Sequence, residues 1–127
     1  MTKEELAKRA KNLAVGVFRL AERLPNSVAC GVIVKQVLRS SSSVAANYRA
    51  ALRAKSTADF VNKMKIVLEE ADETSFWLTF VPEVGLLSGS DGQLIKLINE
   101  SNELTAIFAA SVKTLTTSNS GDQNLKS

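Results

Sequence analysis

Four long stretches of this chain place apolar residues four and three positions apart, and that spacing fits only helices laid side by side. Leu6, Ala10, Leu13, Val17, Leu20 and Leu24 form the first stripe. Phe60, Met64, Val67, Ala71, Thr74, Leu78 and Val81 form another. At 3.6 residues per turn each set falls on one face of a helix. No run alternates apolar and polar residues as a half-buried strand would. The period near 3.5 favours packing at a shallow crossing angle.

Punctuation separates the segments. Thr2 and Glu5 fit a capping box at the first helix start, and Pro25-Asn26 ends that helix. Ser27 is the expected N-cap of a second segment running to about Ala54, with Val37, Val44, Tyr48 and Leu52 on one side. Its middle is small: Ser40, Ser41, Ser42, Ser43, Ala45 and Ala46. Serines are weak helix formers, but no Pro or Gly interrupts and the apolar period continues, so a helix with room for a close neighbour is expected. Ser56 and Asp59 give a second capping pattern, and Pro82 is expected to stop the third segment. After a loop over 83–90, the fourth carries Leu94, Ile98, Phe108, Val112 and Leu115, with Leu97, Leu104 and Ile107 beside them. Short links make sequential helices antiparallel. The expected fold is therefore all-α: an antiparallel up-down four-helix bundle over residues 1–117, followed by a short disordered tail over 118–127, where the chain turns polar.

The 127 residues suffice for one domain, and the 45% that are hydrophobic suffice for its core. There is no histidine, which removes the commonest general base and metal ligand. Di-metal bundles need Glu-x-x-His pairs on facing helices, so Glu69, Glu70 and Glu73 are weak metal candidates. Cys30 lacks a His partner and sits among valines, as a small core residue would. Gly85, Gly89 and Gly92 have no phosphate-loop Lys after them. No catalytic site, metal or cofactor is expected. Met1 to Lys11 is charged and helical in period, so no secretory leader is expected. The apolar run from Val28 to Val34 is far short of the ~20 residues of a membrane span. A soluble cytoplasmic protein follows as the expectation.

Lys+Arg 16 against Asp+Glu 13 gives +3, and its distribution says more than its total. The second segment holds Lys35, Arg39, Arg49, Arg53 and Lys55 and no acid. On a helical wheel Lys35, Arg39, Arg49 and Arg53 occupy an arc of about 80°, forming a stripe about 27 Å long. Lys8, Lys11, Arg19 and Arg23 add to the outer face of the first segment, and the third is net acidic. One reading is a surface that tracks a nucleic-acid backbone through its phosphates. The other is that these arginines pair with the acidic helix, within or between chains, or are merely solvated. Ile66, Trp77 and Phe80 sit about 100° or more from the main stripe of the third segment. They fit either a subunit interface, where Trp and Phe are favoured anchors, or a wide core face touching two neighbours.

The stretch Gln36-Val37-Leu38-Arg39-Ser40-Ser41-Ser42-Ser43-Val44-Ala45-Ala46-Asn47-Tyr48 resembles the four-helix-bundle protein family encoded in intervening sequences of bacterial large-subunit ribosomal RNA genes. The similarity continues through Ser56, Asp59-Phe60, Glu69 to Glu73 and Trp77-Leu78, and resumes at Asn102-Glu103-Leu104 and Ile107-Phe108. It implies a cytosolic, non-catalytic homopentamer. A related bundle, the accessory variability protein of diversity-generating retroelements, implies nucleic acid and a protein as candidate partners. Many relatives carry a glutamate shortly after the position of Asn47, whereas here Ala50 and Ala51 stand there. Arg39, Asn47 and Glu73 match family positions and are expected to form a polar network between the second and third helices.

Overall fold

The computed structural model describes the backbone of residues 1–126 and the side chains of residues 1–117. Four helices follow one another: α1 (Lys3–Ala21), α2 (Val28–Ala51), α3 (Thr57–Glu83) and α4 (Gly92–Lys126). Among the described residues there is no strand. The expected tail, 118–127, lies outside the residues described with side chains. Each helix packs on its sequence neighbours, and α1 meets α4 to close the bundle across a thinner seam.

The helix starts are as the sequence expects. Thr2 Oγ1 accepts from Glu5 N at 3.0 Å, and the Glu5 carboxylate accepts from Thr2 N at 3.1 Å, completing a capping box. Ser27 and Ser56 cap α2 and α3 by accepting from the amides of Cys30 and Asp59. The box at α3 is incomplete. Asp59 is one methylene shorter than Glu, and its carboxylate takes the Lys55 amide instead.

The ends are less regular. α2 stops at Ala51, three residues before the expected Ala54, and Leu52 is exposed. Pro82 does not stop α3 but lies inside its last turn. Termination is set three residues later by Gly85, whose φ is +77°. Its amide donates to Pro82 O at 3.1 Å, and that of Leu86 donates to Val81 O at 3.0 Å. These two bonds make a Schellman motif, which needs a left-handed residue at that position.

The core stripes of α1 and α3 run where the sequence places them, through Leu6 to Leu20 and through Met64 to Val81. That of α4 is rotated: Leu94, Leu97, Ser101, Leu104 and Phe108 are buried, while Ile98, Ile107, Val112 and Leu115 are partly buried. Ser101 is the reason. Its hydroxyl accepts from Ser75 Oγ at 2.9 Å and donates to Ile98 O, so a polar residue occupies the centre of the seam. A similar contact joins α2 to α3, where Thr74 Oγ1 lies 3.0 Å from Ser40 Oγ. Among the described residues no buried side-chain polar atom lacks a partner. Cys30 is fully buried, as a core residue.

Gly85→Ala should destabilise the bundle by about 1–2 kcal/mol, since an L side chain at positive φ is strained. Urea unfolding followed by circular dichroism reads this as a lower midpoint with unchanged slope.

Candidate subunit and nucleic-acid interfaces

The outer face of α2 carries Lys35, Arg39 and Arg49, while Arg53, the fourth residue of the expected stripe, falls in the turn just after the helix; all four are exposed. They do not share one environment. The Arg39 guanidinium reaches across the seam to α3, with Nη1 2.9 Å from Glu70 Oε2 and Nη2 2.6 Å from Glu73 Oε2. Its Nε donates to Gln36 Oε1 at 3.3 Å. The Glu73 carboxylate also accepts from the Trp77 indole at 3.3 Å. Arg39 therefore holds Glu73 below the usual carboxylate range, and Glu73 in turn raises Arg39.

The expected network of Arg39, Asn47 and Glu73 forms in part. Asn47 stays out of it: its amide donates to Ser43 O and Ser43 Oγ, one turn back on its own helix. Glu70 takes its place. By contrast Lys35, Arg49 and Arg53 make no ion pair among the described residues. The open part of the stripe is these three, with Lys55 beyond them. Arg9 on α1 is committed to α4, and Arg23, just past the end of α1, to the residue that precedes α4. Arg9 binds Glu100 and Glu103, and Arg23 binds Asp91, whose carboxyl is pushed down to about 2.

Trp77 and Phe80 are half-buried and pack against the core, and Ile66 is exposed. Trp77 and Phe80 meet edge to face at 5.6 Å between ring centroids. Phe76 completes the cluster, stacked on Trp77 at 4.9 Å and 48% exposed. The sequence pattern does not single it out, because it lies off the core stripe as an isolated apolar residue on the outer face. Ile66 lies 11 residues before Trp77, about 16 Å along the helix, and is not part of the cluster. Beside the aromatics, Ala29, Val32, Trp77, Phe80, Val84 and Leu86 line an open apolar groove between the start of α2 and the end of α3. Val28 and Val32 are 90% and 56% exposed. A second apolar surface, not foreseen from the sequence, lies on the outside of α1, where Val15 and Phe18 are exposed between Lys11, Arg19 and Glu22.

Among the described residues no group of acidic, Cys or His side chains could hold a metal, and no helix is long and apolar enough to cross a membrane. The family profile described as "23S rRNA-intervening sequence protein" matches residues 2–110. The chain belongs to this family. A solved structure from Bacteroides thetaiotaomicron, described as a protein with unknown function from the S23 ribosomal protein family, is 33% identical. The match covers 85% of this chain and 98% of that one, with a TM-score of 0.75. No curated protein matches the chain. As an intervening sequence protein, the chain has the bundle that the resemblance implies.

The Arg39 cluster makes acid stability testable. Because Glu73 is depressed in the folded state, its contribution is present above the ordinary carboxylate value of 4.5 and is lost as pH falls through the folded value. Arg39 is 47% exposed, so the pair is worth under about 1 kcal/mol. Arg39→Gln should lower the urea midpoint at pH 7 and make its decline between pH 5 and pH 3 shallower than that of the parent protein.

Proposed function

We propose that this intervening sequence protein is a non-catalytic, cytoplasmic homo-oligomer, pentameric as the resemblance implies, that binds RNA or DNA through the outer face of α2. The observation that carries the reading is that Lys35 and Arg49 on α2, and Arg53 in the turn just past its end, are exposed, that α2 holds no acidic residue, and that the three have no carboxylate partner among the described residues. Three such cations suit a phosphate backbone and supply little base discrimination. No aromatic residue alternates with them, so stacking on bases has no platform here. The ribosomal RNA context in the family description and the ribosomal protein family of the solved relative favour RNA as the polyanion. Arg39 serves the α2–α3 seam in this reading and not the ligand.

One observation favours a second reading, a purely structural or protein-interaction oligomer. One arginine of the stripe, Arg39, is already engaged by two carboxylates, as the remaining cations would be if acidic residues of another chain met them.

Titration of labelled ribosomal RNA fragments by fluorescence anisotropy, at 25 to 200 mM salt, separates the two. Arg49→Glu/Arg53→Glu should abolish or strongly weaken binding. Arg49→Gln/Arg53→Gln should flatten the log–log salt slope by about 1.4, from about 0.7 per phosphate contact on a single strand. Arg39→Gln should leave both nearly unchanged. No binding at low salt rejects the nucleic-acid reading. Loss of assembly in the Arg49→Glu/Arg53→Glu variant supports the structural one.

A further inference from the structure

We infer that the outer face of α1 docks on the outer face of α3 of a second copy, the two helices running parallel. This rests on the homo-oligomer reading above and names its two contacting surfaces. Both faces expose apolar side chains that the monomer leaves uncovered, Val15 and Phe18 on α1 and Phe76 on α3, with half-buried Phe80 one turn beyond it. An outer helix face normally presents polar residues, so each calls for a partner.

Charge selects the partner. On α1 the outward positions are Glu4, Lys8, Lys11, Val15, Arg19 and Glu22. On α3 the matching stripe is Lys65, Glu69, Asp72, Phe76, half-buried Phe80 and Glu83. Both sets step by four, three, four, four and three residues, so each occupies one stripe of its helix. Set side by side in parallel, Glu4 meets Lys65, Lys8 meets Glu69, Lys11 meets Asp72, and Val15 meets Phe76. Arg19 then lies over Phe80, one turn from Glu83, where a guanidinium suits both an aromatic face and a carboxylate. Glu22 opposite Glu83 is the one unfavourable pair, with Arg19 between them in reach of both. Reversing one helix places Val15 against Asp72 and Glu4 against Glu83, so the match is directional. None of these charged side chains makes an ion pair among the described residues of its own chain.

The topology supplies that direction. In an up-down bundle α1 and α3 run the same way, so copies related by rotation about an axis along the bundle bring α1 of one parallel to α3 of the next. The two surfaces differ, so each copy keeps one of each unsatisfied until a ring closes. Since α2 lies between α1 and α3, such a ring sets every α2 outer face on the same wall.

The test uses blocked variants checked for unchanged far-ultraviolet circular dichroism, with mass measured by light scattering. Val15→Asp/Phe18→Asp and Phe76→Asp should each be monomeric. Mixed one to one, they should form a dimer of twice the chain mass, because one intact face of each kind remains. Lys8→Glu/Lys11→Glu should also reduce assembly, and adding Glu69→Lys/Asp72→Lys in the same chain should restore it, which fixes the register even if an aspartate variant fails to fold. Full assembly in the α1-blocked variant with loss in the Phe76 variant overturns this contact in favour of α3 against α3, leaving the oligomer reading standing. Failure of the charge exchange to restore assembly, or indifference to every substitution, overturns it as well. A monomeric parent protein removes the oligomer reading and this contact together.

Discussion

The close approach of α2 to α3 is the constraint on which the rest of the molecule depends. It is made possible by side chains with almost no reach: Ser40 and Ser41 on one helix, Ala71 and Thr74 on the other, all buried. Larger residues would hold the helices apart, since interaxial distance follows the side chains at the contact. With the helices this near, Arg39 spans the seam to Glu70 and Glu73. Glu73 can then hold the Trp77 indole while the aromatic cluster stays at the surface. The remaining seams are built mainly from larger apolar side chains, with the Ser75–Ser101 contact set among them between α3 and α4. At the α1–α4 seam Gly16 gives similar room, because a β-carbon there would come 2.7 Å from Leu97 Cδ2.

Arg39 and Arg49 illustrate how position on a helix decides the fate of a charge. They differ by about 80° around α2. That rotation tilts Arg39 toward the acidic side of α3 and leaves Arg49 without a carboxylate partner among the described residues. Composition makes the two indistinguishable, and a wheel drawn for α2 alone does not say which of them meets an acid. The distinction needs the neighbouring helix, its direction and its vertical register, none of which a single segment encodes.

The same limit explains what was and was not legible in the sequence. Helix number, starts, apolar stripes of α1 and α3, and the small centre of α2 all follow from local pattern and capping chemistry, which act within a few residues. Pro82 misleads because its fixed φ is itself helical and its missing N–H forfeits only one backbone bond near the helix end, while the stop is set by the left-handed Gly85. The α4 stripe drifts because Ser101 seeks Ser75, a partner 26 positions away. In the candidate surfaces, Trp77 and Phe80 are legible as aromatics off the stripe. Phe76, Val15 and Phe18 are hidden because an isolated exposed apolar residue is commonplace. Only their placement on two outer faces gives them meaning.

The two interhelical hydroxyl contacts act as detents. A four-three apolar stripe matches itself again after seven residues, so greasy surfaces alone would let one helix slide against another by two turns at modest cost. Thr74 touches Ser40, and Ser75 touches Ser101. Slipping α3 by seven residues in one direction or the other would drive the Ser75 hydroxyl against Leu94 or Phe108, both fully buried, and strip it of its acceptor, at a cost of about 1–3 kcal/mol for a desolvated polar group. The molecule thereby locks one vertical alignment of its rods, and that alignment is what brings Arg39 level with its two carboxylates.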